Sequence, residues 1–179
     1  MQRIAITGGP GTGKTSLISA LEARGFTCLP EISRQVTLEA RNQGIEQLFL
    51  KDPLLFSRKL LEGRKKQFFE AASLNTNLVF LDRGLPDVLA YMDYIGDTYP
   101  DTFTDICKQH IYDKVLILPP WLEIYKTDNE RYESFEQAQL IHDALKKTYL
   151  NFNYNLIEVP IGKLADRVNF VTDSILLNE

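Results

Sequence analysis

Residues Gly8-Gly9-Pro10-Gly11-Thr12-Gly13-Lys14-Thr15 fit the pattern G-x-x-x-x-G-K-[ST]. The constraint behind this pattern is physical. Successive backbone N–H groups in a glycine-rich turn converge on an anion. The helix that follows adds its unpaired N–H groups and the positive end of its dipole. Gly8, Gly11 and Gly13 let the backbone come close to a phosphate. Lys14 is placed to reach β- and γ-phosphates, and the Thr15 hydroxyl to coordinate Mg²⁺. Gly9, Pro10, Thr12 and Ser16 belong to the same nucleotide-binding stretch. The flanks agree with such a turn. Arg3-Ile4-Ala5-Ile6-Thr7 is a short apolar run of the kind that forms a buried strand. From Ser16 to Arg24, Leu17, Ile18 and Leu21 share one helical face, and Gly25 supplies a stop.

The rest of the chain repeats the alternation. Phe26 to Leu29 reads as a second strand, and Pro30-Glu31 opens a helical stretch. Asp52-Pro53 is an N-cap with proline in the first turn, starting a helix that runs to about Ser73. Leu78 to Leu81 is a third strand, ending at Asp82-Arg83-Gly84. Helices follow over Pro86 to Ile95 and Asp101 to His110. Lys114 to Leu118 is a fourth strand, stopped by Pro119-Pro120. Ser134 with Gln137 forms a capping box for a helix reaching about Asn151. Asn155 to Val159 is a fifth strand, Pro160-Ile161-Gly162 a turn, and Lys163 to Leu177 a last helix. Strands alternating with helices predict an α/β fold with a parallel sheet covered on both faces. Its ligand then lies at the C-terminal strand ends. Lys14, Glu31, Asp82 and Gly162 all follow strand ends.

Composition narrows the classes of partner. The 179 residues carry a formal charge of −4, which makes no electrostatic case for nucleic acid. Two cysteines, Cys28 and Cys107, make neither a disulfide framework nor a C-x-x-C motif. A reduced, cytoplasmic setting is the expectation. No stretch is long and apolar enough for a membrane span or a signal peptide. With no linker, repeat or shift in composition, a single domain over 1–179 is expected, with a lid at about 120–133.

Several polar residues fit the chemistry of a phosphate site. Asp82 ends four apolar residues. A carboxylate there can hold a magnesium-bound water, or it can cap the next helix. Arg83 can neutralise charge during transfer, or form a structural ion pair. Asp87 suits equally a second acidic contact to substrate and the first turn of a helix. Glu31 and Arg34, three apart, would share one face of a helical turn. In that setting Glu31 can accept an acceptor hydroxyl or serve as general base, and Arg34 can bind an anionic part of the acceptor. Alternatively the two simply pair with each other. Arg131 lies in a polar segment between Pro119-Pro120 and the capping box, where lid closure would deliver it to the phosphates. Lys126 is a weaker candidate of the same kind. The Gly162 turn can cradle an adenine ring, with Arg167 flanking it or lying on the surface. Arg64-Lys65-Lys66 reads as a solvated basic face, and Trp121 as a wall of the acceptor pocket.

The whole chain resembles the NadR-like predicted ATPases, a branch of the P-loop kinase-like proteins often called AAA family ATPases. The resemblance rests on GGPGTGKT at 8–15, PEISR at 30–34, LDRGLPDVLAY at 81–91, ERYE at 130–133 and VPIGKLADRV at 159–168. It implies a P-loop NTPase three-layer sandwich with a five-stranded parallel sheet in the order 2-3-1-4-5. It also implies that Asp82-Arg83 is the DR motif beside the phosphates and that Arg131 is the lid arginine. Gly162 matches the adenine-side loop more loosely. Neither the nucleotidyltransferase domain nor the DNA-binding module of multidomain NadR proteins is expected within these 179 residues. It is also too short for the helical lid domain of AAA+ machines.

The function expected from these residues is phosphotransfer from ATP with Mg²⁺ to a small nucleoside-, nucleotide- or ribose-like acceptor. Alternatives are an ATPase without an acceptor and a regulatory nucleotide switch. Against a Ras-type switch, Asp82 is followed by Arg83-Gly84-Leu85 where D-x-x-G would be needed, and Tyr125-Lys126-Thr127-Asp128 only approaches [NT]-K-x-D. The expected partners are the nucleotide and the acceptor, with a homodimer as the default assembly.

Overall fold

The apolar run after Met1 forms the first strand and becomes the centre of the sheet. In the computed structural model, which describes residues 1–125 and 133–176, β1 spans Gln2–Gly8. It is followed by α1 (Lys14–Ala23), β2 (Thr27–Leu29), α2 (Ile32–Asn42), α3 (Leu48–Lys51) and α4 (Pro53–Ser73). Then come β3 (Leu78–Asp82), α5 (Pro86–Ile95), α6 (Asp101–Gln109) and β4 (Lys114–Leu118). A short 3-10 turn at Leu122–Ile124 precedes α7 (Phe135–Asn151), β5 (Leu156–Glu158) and α8 (Leu164–Leu176). The residue pattern did not anticipate the short helix α3 or the 3-10 turn.

The five strands are all parallel and lie in the order β2-β3-β1-β4-β5. This is the three-layer arrangement that the resemblance implied. Alternation along β1 divides the two faces. Ile4 and Ile6 pack with Leu17, Leu21, Phe80, Leu116, Val168 and Val171 under α1 and α8. Ala5 points the other way, into the larger core formed with α2, α4, α5, α6 and α7. The near-continuous burial of β1, β3 and β4 follows from having helices on both sides. No helix among the described residues is long and apolar enough to cross a membrane.

Helix boundaries follow local chemistry. Asp52 caps α4, its side chain accepting from the Leu55 N–H at 2.9 Å. Ser134 and Gln137 close both halves of the predicted capping box at the start of α7. Register places the polar strand ends together. Ile6 pairs with Asp82 across β1 and β3, and Leu29 with Leu81 across β2 and β3. The turn after Gly8, the residues after Leu29 and the end of β3 therefore meet at one edge of the sheet.

The Asp52 cap gives a direct check on this account of α4. Asp52→Ala should lower unfolding free energy by about 1 kcal/mol, read from the urea midpoint at an unchanged m-value.

Candidate active site

The turn from Gly9 to Gly13 leaves β1 and enters α1 through two left-handed residues, Gly11 (φ 71°) and Gly13 (φ 76°). A Cβ at Gly11 would lie 2.3 Å from the Tyr125 ring, so glycine is required by contact as well as by conformation. The Thr12 hydroxyl donates to the Gly9 carbonyl at 3.1 Å and holds the turn closed. Thr15 and Ser16 are exposed at the start of α1. That leaves the Thr15 hydroxyl open to a ligand.

Lys14 points back under the turn. Its Nζ donates to Asp82 Oδ1 at the end of β3 and lies 3.7 Å from Glu31 Oε2. Burial, then the nearby Arg83, pulls the Lys14 ammonium below its usual range, while Asp82 and Glu31 oppose that shift. Arg83 occupies a left-handed backbone conformation (φ 73°), uncommon for a residue with a Cβ and typical of functional turns. Its Nε donates to Glu31 Oε2 at 2.5 Å, and its Nη1 to the Gly8 carbonyl at 3.1 Å and to Asp87 Oδ1 at 3.2 Å. The Tyr91 ring lies 5.7 Å from the guanidinium and walls this side of the site.

Glu31 is the shared partner. It precedes α2 with extended backbone, so its side chain turns inward and does not follow the helix. The predicted shared face with Arg34 is therefore not formed, and Arg34 is exposed on α2. One Glu31 oxygen receives Arg83, and the other receives Arg64 Nη2 at 3.1 Å. Burial works against its charge, but Arg83, then Arg64 and Lys14, hold the carboxyl well below the usual carboxylate range. Its charge is shared among three cations, which keeps the group ionised and fixed in place. It suits orientation of a hydroxyl better than proton abstraction.

Asp87 is completely buried. Its Oδ1 accepts from Thr7 at 2.7 Å and from Arg83, and its Oδ2 from the Gly84 N–H at 3.0 Å and from the Tyr149 hydroxyl at 2.5 Å. With no exposed surface and two partners on each oxygen, Asp87 is closed to the expected direct contact with an acceptor and instead orients Arg83. A Cβ at Gly84 would lie 2.4 Å from the Tyr149 oxygen, which explains glycine after Arg83.

On the far side of the turn, Arg167 is buried and donates to the Thr12 carbonyl at 3.0 Å. Trp121 lies 5.9 Å from it. Through Arg167, Trp121 is tied to the part of the phosphate turn that carries Thr12. Gly162 is half-buried in the turn before α8, with open space where a side chain would be. Arg131 and Lys126 lie outside the described residues.

Two residues escaped the sequence reading. Arg64 is 3% exposed, not solvated, and Tyr149 is fully buried. Both fall on visible stripes. The buried positions of α4 are 57, 60, 61, 64, 67, 68 and 71, and those of α7 are 138, 141, 142, 145, 148 and 149. The Arg64-Lys65-Lys66 run hid a core position inside a basic triplet.

Oxygen donors suit Mg²⁺, which keeps most of its waters and takes one or two protein ligands plus phosphates. Among the described residues no group of three His, Cys, Asp or Glu side chains forms a self-sufficient metal site. The exposed Thr15 hydroxyl and the Asp82 carboxylate are oxygen donors of the kind required.

Residues 3–167 match the model of the AAA domain family. No curated protein matches the sequence. Solved structures with the same fold include a deoxyadenosine kinase from M. mycoides with products dCMP and a flexible dCDP bound. That match has a TM-score of 0.72 and 16% identity, covering 98% of this chain and 100% of that one. NadR protein in complex with NR gives a TM-score of 0.74 at 16% identity, covering 97% of this chain and 50% of that one. Thymidylate kinase from Candida albicans gives 0.65 at 20% identity, over 99% and 92%.

Glu31 generates a pH prediction. Its folded-state value is depressed, so its stabilising contribution is present above the unfolded carboxyl's value of about 4.3 and is lost on acidification below it. Glu31→Gln should cost about 3 kcal/mol at pH 7, and its deficit against the unsubstituted protein should shrink steadily between pH 5 and pH 3, as read by urea unfolding.

Proposed function

This chain belongs to the AAA domain family, and on that premise we propose that it is an ATP-dependent kinase acting on the hydroxyl of a nucleoside-like small molecule. One observation carries the proposal. Beside the Gly9–Gly13 turn, Lys14, Asp82, Arg83 and Glu31 form a single, largely buried cluster of alternating charge. Donor and acceptor chemistry can therefore meet within one side-chain length.

The backbone N–H groups of residues 8–13 bind the phosphates, and Lys14 carries charge to the β–γ bridge. Thr15 and Asp82 would hold Mg²⁺, which supplies neutralisation of phosphate charge when bound. Arg83 stabilises the charge that develops on the transferred group. Glu31 accepts a hydrogen bond from the acceptor hydroxyl and fixes its line of approach. That oxygen bonds to the γ-phosphorus, the bond to the bridging oxygen breaks, ADP leaves and the hydroxyl proton passes to water. Asp87 orients Arg83. Arg34, at the exposed start of α2, meets the outer part of the acceptor. Arg131 closes over the phosphates from the lid, and Gly162 with Arg167 bounds the adenine side. The whole of 1–179 acts as one domain.

A hydroxyl is favoured over a phosphate acceptor because Lys14 and Arg83 are assigned to the donor phosphates, and the remaining cation on Glu31, Arg64, is buried and already paired. Lys14 serves Asp82 and Glu31, Arg83 serves Glu31 and Asp87, and Arg64 serves Glu31 and the Gly84 carbonyl.

The test is transfer of label from γ-³²P-ATP with Mg²⁺ to a panel of nucleosides and, separately, nucleoside monophosphates. Labelled monophosphate from a nucleoside is expected, and Lys14→Ala should cut turnover by about 100-fold or more. Labelled inorganic phosphate with every acceptor would instead identify an ATPase.

A further inference from the structure

We infer that Arg64 is a positioning residue of this site, acting through Glu31. The inference rests on the phosphotransfer reading above. Arg64 projects from the buried stripe of α4, at 3% exposure. Its fork spans two separate segments: Nη2 donates to Glu31 Oε1 at 3.1 Å, and Nη1 donates to the Gly84 carbonyl at 3.2 Å. These segments follow β2 and β3, so Arg64 sets the distance between Glu31 and the turn that carries Arg83.

The arrangement around Glu31 is two-sided. Arg83 takes one oxygen and Arg64 the other, which fixes the plane of the carboxylate. Arg83 Nε in turn depends on Glu31 for the orientation that carries Nη1 to the Gly8 carbonyl. Loss of Arg64 frees one Glu31 oxygen, lets the carboxylate rotate and loosens Arg83 at one remove.

A packing role alone does not account for the residue. A buried guanidinium is costly unless paired, and an apolar side chain would fill the stripe more cheaply. Arg64 Nε is buried without a hydrogen-bond partner. Its orientation is therefore governed by Glu31 and Gly84, at the expense of full satisfaction. Lysine has no equivalent fork, because a point charge cannot span both acceptors with fixed geometry.

The experiment compares ATP affinity, turnover and coupling in Arg64→Ala, Arg64→Lys, Glu31→Gln and the double variant Arg64→Ala/Glu31→Gln, with Lys66→Gln as the neighbouring control. Arg64→Ala should lower kcat by about 100-fold, the scale of a misplaced reactive group. It should leave the dissociation constant for ATP within about threefold, since the hydrogen bonds of Arg64 go to Glu31 and Gly84 and not to residues 8–15. Arg64→Lys should recover less than about a tenth of the loss, and it carries the same comparison if Arg64→Ala does not fold. Added guanidinium ion should restore turnover to Arg64→Ala where methylammonium does not. In the Glu31→Gln background, removing Arg64 should cost no more than about threefold further. Additive losses in that cycle, or a loss of ATP affinity matching the loss of kcat, would overturn the inference and leave the phosphotransfer reading standing. Unchanged turnover in Arg64→Ala would do the same. A parent protein that binds ATP and transfers no phosphoryl group overturns both.

Discussion

One carboxylate shared among three cations holds this structure's working edge together. Glu31 meets Arg83, Arg64 and Lys14, and these come from the turn after β3, from α4 and from the start of α1. In a partly dry pocket such a cluster is stable only because nearly every charge finds a counter-charge or a carbonyl. Without that anion Arg64 is left with the Gly84 carbonyl, while Lys14 and Arg83 depend on Asp82 and Asp87 for counter-charge. Arg64 is buried against that group, Arg83 reaches it from a left-handed turn, and the extended backbone before α2 lets Glu31 face both.

The sheet makes the meeting possible. In the order β2-β3-β1-β4-β5, strands distant in sequence become neighbours, with β1 between β3 and β4. Residues 8, 31 and 82 then share one edge although long stretches of chain separate them. Because the strands are parallel, their C-terminal ends all open on the same side. The site is a consequence of topology, and its side chains specialise it.

Much of this was legible in the residues. The phosphate turn, the five strands and the caps at Asp52 and Ser134 are local signals, carried by glycine spacing, apolar runs and capping side chains. Asp82 and Arg83 could be placed because they end an apolar strand. What escaped depends on tertiary partners. Nothing near Arg64 announces that Glu31, 33 residues earlier, returns to it. Asp87 looked like an open carboxylate because Tyr149 lies 62 residues downstream. Glu31 looked helical because its sequence neighbours are. In each case the deciding neighbour was remote in sequence, and the period of buried positions along α4 and α7 was the surviving local trace.

The helix α7 has a consequence of its own. Its Ala138 carbonyl lies against Gly9, where a Cβ would come within 3.1 Å, and its Tyr149 hydroxyl holds Asp87. Eleven residue steps of unbroken helix separate the two, a span of about 16.5 Å at 1.5 Å per residue. The helix therefore serves as a gauge block, because the phosphate turn and the anchor of Arg83 are referred to one rigid length. Inserting or deleting a single residue in it would rotate one contact by about 100° relative to the other, so this stretch of chain tolerates drift in composition far better than drift in length.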